Sequence, residues 1–129
     1  MNYYLDVWRG YFDFSGRARR KEYWYFTLYH AIATVLGELV AVTSFSDKSP
    51  LDVVFTAIFL LYFFASIIPS VAVTVRRLHD VDKSGWWYYI AFIPVIGAIW
   101  MLVLMCTDGT KGPNQYGPDP KMVEASAPI

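Results

Sequence analysis

The residues best suited to chemistry sit in one stretch, PSVAVTVRRLHDVDKSGWW, from Pro69 to Trp87. It packs Arg76, Arg77, His79, Asp80, Asp82 and Lys83 between two long apolar runs and closes on Ser84, Gly85, Trp86 and Trp87. A histidine held by a carboxylate is a general base or acid. Adjacent helical residues point about 100° apart, however, so His79 and Asp80 cannot readily bond to each other, and an outside partner such as Glu22 or Asp13 is needed. A metal site would draw on His79, Asp80, Asp82 or the distant His30, too few ligands at useful spacing. No serine or cysteine elbow and no glycine-rich phosphate loop accompanies them. The sequence therefore assigns no catalytic residue, metal or cofactor.

A third chemistry fits better, the pairing of arginines with carboxylates or phosphates. A second basic cluster, Arg17, Arg19, Arg20 and Lys21, precedes the first apolar run. Near a bilayer surface each such cation attracts anionic headgroups by roughly 1 kcal/mol. Two readings stand side by side. In one, Arg17, Arg19, Arg20, Arg76, Arg77, His79 and Asp80 form an anion or lipid-headgroup site. In the other they form a structural ion-pair cluster with Asp13, Glu22, Asp80 and Asp82, leaving one or two guanidinium groups free, and the first cluster is a plain topology signal. His79 would make either arrangement sensitive to pH near neutrality.

The elements that must position these residues belong to a membrane protein. Hydrophobic residues make up 56% of the 129 and charged ones 17%, against soluble averages of roughly 45–50% and 25%. Aromatics reach 19%, and Trp and Tyr favour membrane interfaces. One cysteine, Cys106, excludes a disulfide within the chain. No cleaved signal peptide is apparent, so the first apolar run would serve as its own targeting signal.

The expected fold is an all-α membrane protein with an N-terminal interfacial amphipathic helix and three transmembrane helices, at about 23–43, 51–75 and 86–106. In residues 1–14, Tyr4, Leu5, Trp8, Tyr11 and Phe12 share a face at helical spacing, suited to the headgroup layer. The alternative is that these aromatics pack on the spans as core. Within the first span, His30 and Glu38 project about 80° apart, so both can face a neighbouring helix. A carboxyl group inside a membrane is costly and thus a functional candidate, unless Glu38 reaches water at the end of the span. Ser49-Pro50-Leu51-Asp52 has the residues of a capping box with proline at the first helical position. Pro69 predicts a kink that turns residues 70–78 along or out of the membrane surface. Pro94 and Gly97 permit a bend or a close helix approach in the third span. Residues 1–121 read as one membrane domain and 122–129 as a flexible tail.

Three crossings would put the termini on opposite sides. Eight basic residues would then share the N-terminal side, against Lys48, Lys111 and Lys121, which predicts a cytoplasmic N-terminus and a periplasmic C-terminus. The words DFSGRARRKEYW (Asp13 to Trp24), RRLHDVDKSGWW (Arg76 to Trp87) and GPNQYGPDP (Gly112 to Pro120) resemble a family, the small bacterial inner-membrane proteins of the YhaH type, grouped under a domain of unknown function. The likeness runs from about Tyr3 to Lys121. It implies a multi-pass protein of the bacterial inner membrane without an assigned activity. Family members usually carry glycine where this chain has Asp82.

Two functions follow as expectations. The first is a non-enzymatic membrane protein whose basic cluster binds anionic lipids or the acidic segment of a partner, with no role for nucleic acid. The second is a homo-oligomeric transporter or channel subunit, with Glu38 and His30 facing the helix interior.

Overall fold

A computed structural model describes residues 3–44 and 49–122. Its elements are α1 (Tyr3–Arg9), α2 (Arg20–Ser44), α3 (Pro50–Asp80), a 3-10 segment (Gly85–Phe92) and α4 (Ile96–Cys106). Helix α3 begins where the sequence says it should. The Ser49 hydroxyl accepts from the Asp52 amide and the Asp52 carboxylate accepts from the Ser49 amide, with Pro50 at the first helical position. Helix α2 runs antiparallel to it: Tyr23 packs beside Leu78, His30 bonds to Tyr62, and Gly37 lies against Phe59. A Cβ on Gly37 would fall 2.1 Å from the Phe59 ring, so glycine is what lets that ring cross the helix.

Both helices are long and apolar enough to cross a membrane, and only 11% and 6% of their most apolar windows is buried. The core helix of a water-soluble protein would be mostly covered. Here Leu28, Ile32, Val35, Leu39, Ile58 and Leu61 all face outward. An outer surface of this kind suits hydrocarbon rather than water.

The expected third span is two pieces. The 3-10 segment ends at Phe92, the chain reverses, and α4 starts at Ile96. Val95, at φ +64° and ψ −62°, is the centre of a γ-turn closed by the Ile96 amide on the Pro94 carbonyl at 2.7 Å. The arms then run antiparallel, with Trp87 and Tyr88 beside Leu104 and Met105 and the Ile90 carbonyl against Gly97. A Cβ on Gly97 would meet that oxygen at 1.9 Å. The arms rise roughly 16 Å each, about half of a hydrocarbon core of roughly 30 Å. Neither arm reaches across alone.

Helix α1 is shorter than residues 1–14 and does not lay one aromatic face outward. Val7 is buried with Ala18, Phe26 and Val73, and Tyr4 and Trp8 pack against that group. Leu5 and Phe12 are exposed. The Tyr62 hydroxyl joins the Tyr4 hydroxyl at 2.8 Å and His30 Nδ1 at 3.0 Å, tying α1 to both long helices.

Residues 70–78 continue the same helix past the proline. Helix α3 runs unbroken through Pro69 to Asp80, and Ala72, Val73, Thr74, Arg77 and Leu78 are buried. Proline at 69 has no N–H to give the Ala65 carbonyl, an expensive loss in an apolar setting. The Tyr11 hydroxyl donates to that carbonyl at 2.7 Å. Tyr11→Phe is therefore expected to destabilise the fold by about 1–3 kcal/mol, measured by thermal unfolding in detergent. In a Pro69→Ala background, where the alanine amide restores the helical bond, the same change should cost much less.

Candidate functional site

Helix α3 ends in a Schellman motif. The Lys83 amide donates to the Leu78 carbonyl at 2.9 Å and the Asp82 amide to the His79 carbonyl at 3.0 Å. Asp82 occupies the left-handed position at φ +60°, where the family resemblance leads one to expect glycine. Aspartate is among the few side chains that tolerate this region. This turn presents Arg77, His79 and Asp80 toward residues from both ends of the chain.

At the centre, two arginines hold one carboxylate. Arg17 Nε donates to Asp80 Oδ1 at 3.1 Å and Arg77 Nη1 to Asp80 Oδ2 at 2.7 Å. These side chains are 1%, 0% and 4% exposed for Arg17, Arg77 and Asp80. Two buried cations on one anion leave an uncompensated positive charge, which would be prohibitive without further acceptors. Backbone carbonyls supply them. Arg17 Nη1 donates to Gly112 at 2.7 Å and Nη2 to Thr110 at 2.5 Å; Arg77 Nε and Nη2 donate to Met105 at 3.3 and 3.1 Å, and Nη2 also to Thr107. Every nitrogen of both guanidinium groups is engaged. The Met105 and Thr107 carbonyls belong to the C-terminal end of α4, where orphan acceptors and the helix dipole favour cations. Arg20 Nη1 and Trp24 Nε1 reach the same end, bonding to the Cys106 and Met105 carbonyls at 3.1 and 3.3 Å.

The tail is folded to meet this cluster. Asn114 and Gly117 exchange backbone bonds of 3.0 and 3.1 Å, Gly112 and Gly117 take positive φ, and the Asn114 side chain donates to the His79 carbonyl at 3.0 Å. Asp119 accepts from the Gly112 and Lys121 amides at 3.0 Å each. The Gly112 bond, the larger influence, holds the Asp119 carboxyl below its usual range. The Thr110 amide donates to the Asp80 carbonyl at 2.7 Å, and a Cβ on Gly109 would lie 2.2 Å from Asp80 Oδ2. Tail residues 107–119 therefore sit at the same end of the molecule as Arg17 and Arg77. The expected three-crossing layout had put them at opposite ends.

The remaining candidates divide. His79 stacks on Tyr116 at 4.0 Å between centroids and meets the Gly16 carbonyl through Nδ1 at 2.9 Å. Arg19 is buried, lies 3.7 Å from Glu22 and covers the Tyr3 ring. Arg20 is half exposed and 3.5 Å from Asp108, which Lys121 also contacts. Among the described residues Asp13 and Asp82 pair with no arginine; they bond to Ser15 and Gln115. Arg76 gives its carbonyl to the Ala18 amide at 3.0 Å, while its buried Nε and Nη2 have no acceptor among the described residues. His30 and Glu38 lie outside the cluster, and they are not brought together: His30 stacks on Phe26 and bonds to Tyr62, whereas Glu38 is exposed on α2. Among the described residues no group of His, Cys, Asp and Glu is arranged to hold a metal.

Fold and site together define a small all-helical protein with two membrane-length helices and a buried arginine–aspartate lock assembled from three separate parts of the chain. Those parts contain the three sequence words that carry the family resemblance, and the chain belongs to the family described as protein of unknown function (DUF805), which matches residues 11–118. It is 46% identical over 121 residues to the protein named Inner membrane protein YhaI of Escherichia coli (strain K12), covering 94% of this chain and 97% of that protein. Inner membrane protein YhaH of the same strain is 43% identical over 123 residues, covering 95% and 98%. No solved structure matches the fold.

Neighbouring arginines should respond in opposite ways to the same substitution. Arg77→Met leaves Asp80 short of a partner and three carbonyl bonds unmade, and a loss of about 3–5 kcal/mol is expected. Arg76→Met removes two donors that have no acceptor and should be nearly neutral or stabilising. Thermal unfolding of both variants in the same detergent checks the contrast. Gly109→Ala should cost about 1–3 kcal/mol by forcing the pinned carboxylate to move, read by the same measurement.

Proposed function

We propose that this chain is a non-enzymatic, multi-pass protein of the bacterial inner membrane that crosses twice, through α2 and α3. The segment Gly85–Cys106 enters and returns on one side as a hairpin, and the lock holds both ends of the domain at that side. The single observation that carries this reading is the bonding of Arg17 to the Thr110 and Gly112 carbonyls. A tail on the far side of a bilayer could not supply them. The inner-membrane location follows from what YhaI and YhaH are named.

In this arrangement ten of the eleven basic residues lie at one end, and Lys48 belongs by sequence to the connection between α2 and α3, outside the described residues. The positive-inside rule makes the ten-residue end cytoplasmic. There the arginines that the lock leaves exposed engage anionic headgroups, and α1 anchors at the same surface through its packing on the spans. Transport along a path shared by His30 and Glu38 has less support, since one is bonded between helices and the other faces outward.

In a Cys106→Ser background, single cysteines at Ser15, Gln115 and Ser46 test the layout with a membrane-impermeant thiol reagent. Ser15→Cys and Gln115→Cys should react only in inverted vesicles, and Ser46→Cys only in intact spheroplasts. Labelling of Gln115→Cys from the periplasmic side would restore a third crossing and overturn the reading.

A further inference from the structure

The lock consumes Arg17 and Arg77, and Glu22 occupies Arg19, so the cations still turned outward must be sought elsewhere at this end. Arg20 and Lys21, in the first turn of α2, line a cleft of about 360 Å³ with Trp24 and Cys106. We propose that this cleft binds the phosphate of an anionic phospholipid, with Arg20 and Lys21 as its cationic partners and the Trp24 ring as its wall. The proposal rests on the reading of this end as a headgroup-facing surface and names the place where that contact is made.

Three observations carry it. The first is that Arg20 is held in place rather than free to wander. Its Nη1 is bound to the Cys106 carbonyl at 3.1 Å and its Nη2 lies 3.5 Å from Asp108, which leaves Nε and the second hydrogens of both amino groups for a ligand, and the Arg20 side chain is 46% exposed. Lys21 is exposed and forms no ion pair among the described residues. The second is that the negative charges nearby are already answered. Asp108 is contacted by Lys121 as well as Arg20, and the Lys121 bond holds its carboxyl below the usual range. The carbonyls ending α4 are capped by Arg77, Arg20 and Trp24. A phosphate entering the cleft thus meets net positive potential.

The third observation separates a lipid from an acidic peptide. Apolar side chains continue from the cleft along both walls. On α2, Leu28 and Ile32 follow Trp24 at helical spacing, and on α4, Val103, Leu102 and Ile99 precede Cys106 in the same way; all are about half exposed or more. A cationic mouth above two apolar stripes matches a molecule with a charged head and hydrocarbon chains. A peptide carboxylate would use the mouth and leave the stripes bare.

Cys106 is the sole cysteine of the chain and is exposed on the cleft wall, so it reports occupancy directly. The full chain would be placed in nanodiscs of phosphatidylcholine alone or mixed with phosphatidylglycerol. Two quantities are read: the enrichment of phosphatidylglycerol retained by the protein over the bulk lipid, and the rate at which a water-soluble maleimide labels Cys106. Wild type should be enriched in phosphatidylglycerol and labelled several-fold more slowly in its presence. Lys21→Gln should reduce both effects about five-fold, the size expected of one cation at an anionic surface, and Arg20→Gln with Lys21→Gln should abolish them. Lys111→Gln, an exposed charge in the tail at the same end, should change neither.

Lys21 is exposed and forms no ion pair among the described residues, so its variant keeps the test valid if the double variant fails to fold. Wild-type enrichment that survives Lys21→Gln undiminished would sink the site and leave the broader headgroup reading standing. No enrichment in wild type would remove both. Slowing of the label by phosphatidylcholine as much as by phosphatidylglycerol would show an apolar cover without phosphate recognition. Competition by inorganic phosphate alone, without lipid, would point to a free anion as the ligand and overturn the lipid.

Discussion

One buried carboxylate governs this structure. Asp80 ends α3 with two guanidinium groups on its two oxygens, and the surplus positive charge is absorbed by carbonyls that no regular helix bond uses. A single ion pair would not repay the desolvation of its members, because burying charge costs several kcal/mol per ion. What makes this arrangement tenable is the saturation of every guanidinium nitrogen. That requirement reaches far along the chain: Arg17 comes from the segment before α2, Arg77 from the last turn of α3, and the acceptors from α4 and the tail. Satisfying three side chains fixes the relative placement of nearly all the described elements.

The same accounting explains the other polar exceptions in the apolar part of the molecule. Pro69 frees a carbonyl, and a tyrosine from the N-terminal segment covers it. His30 is placed on a helix that is otherwise hydrocarbon-like, and it shares a hydroxyl with Tyr4 through Tyr62. These bonds locate the short helix α1 as firmly as the burial of Val7 does. Glu38 stands apart, an exposed carboxyl on the outer face of α2.

Much of this was legible in residues and some of it was not. The capping box at Ser49, the two long apolar helices, and the meeting of Arg17 with Arg77 all follow from local spacing and charge. The role of Gly97 in close backbone approach was also readable. The expected single third helix is two pieces, because 21 apolar residues satisfy a length criterion whether or not they are one helix; Pro94 and Gly97 marked where a bend was permitted, but not that a γ-turn at Val95 would reverse the chain. Of the four expected carboxylates, Glu22 and Asp80 meet arginines and Asp13 and Asp82 bond elsewhere, for a related reason. Sequence shows side chains, and the decisive acceptors are main-chain oxygens of Met105, Thr107, Thr110 and Gly112. The only trace of them was the cluster of glycines and prolines in GPNQYGPDP, the residue types that aim carbonyls in fixed directions.

That dependence on the tail has a bearing on how the protein is made. Arg77 and Asp80 precede Thr110 and Gly112 in the chain, so the charged end of α3 is fully matched only once the last tenth or so of the domain is in place. A chain cut short before the glycine-rich loop would keep the Arg77 bonds and leave Arg17, buried on Asp80, without the Thr110 and Gly112 carbonyls.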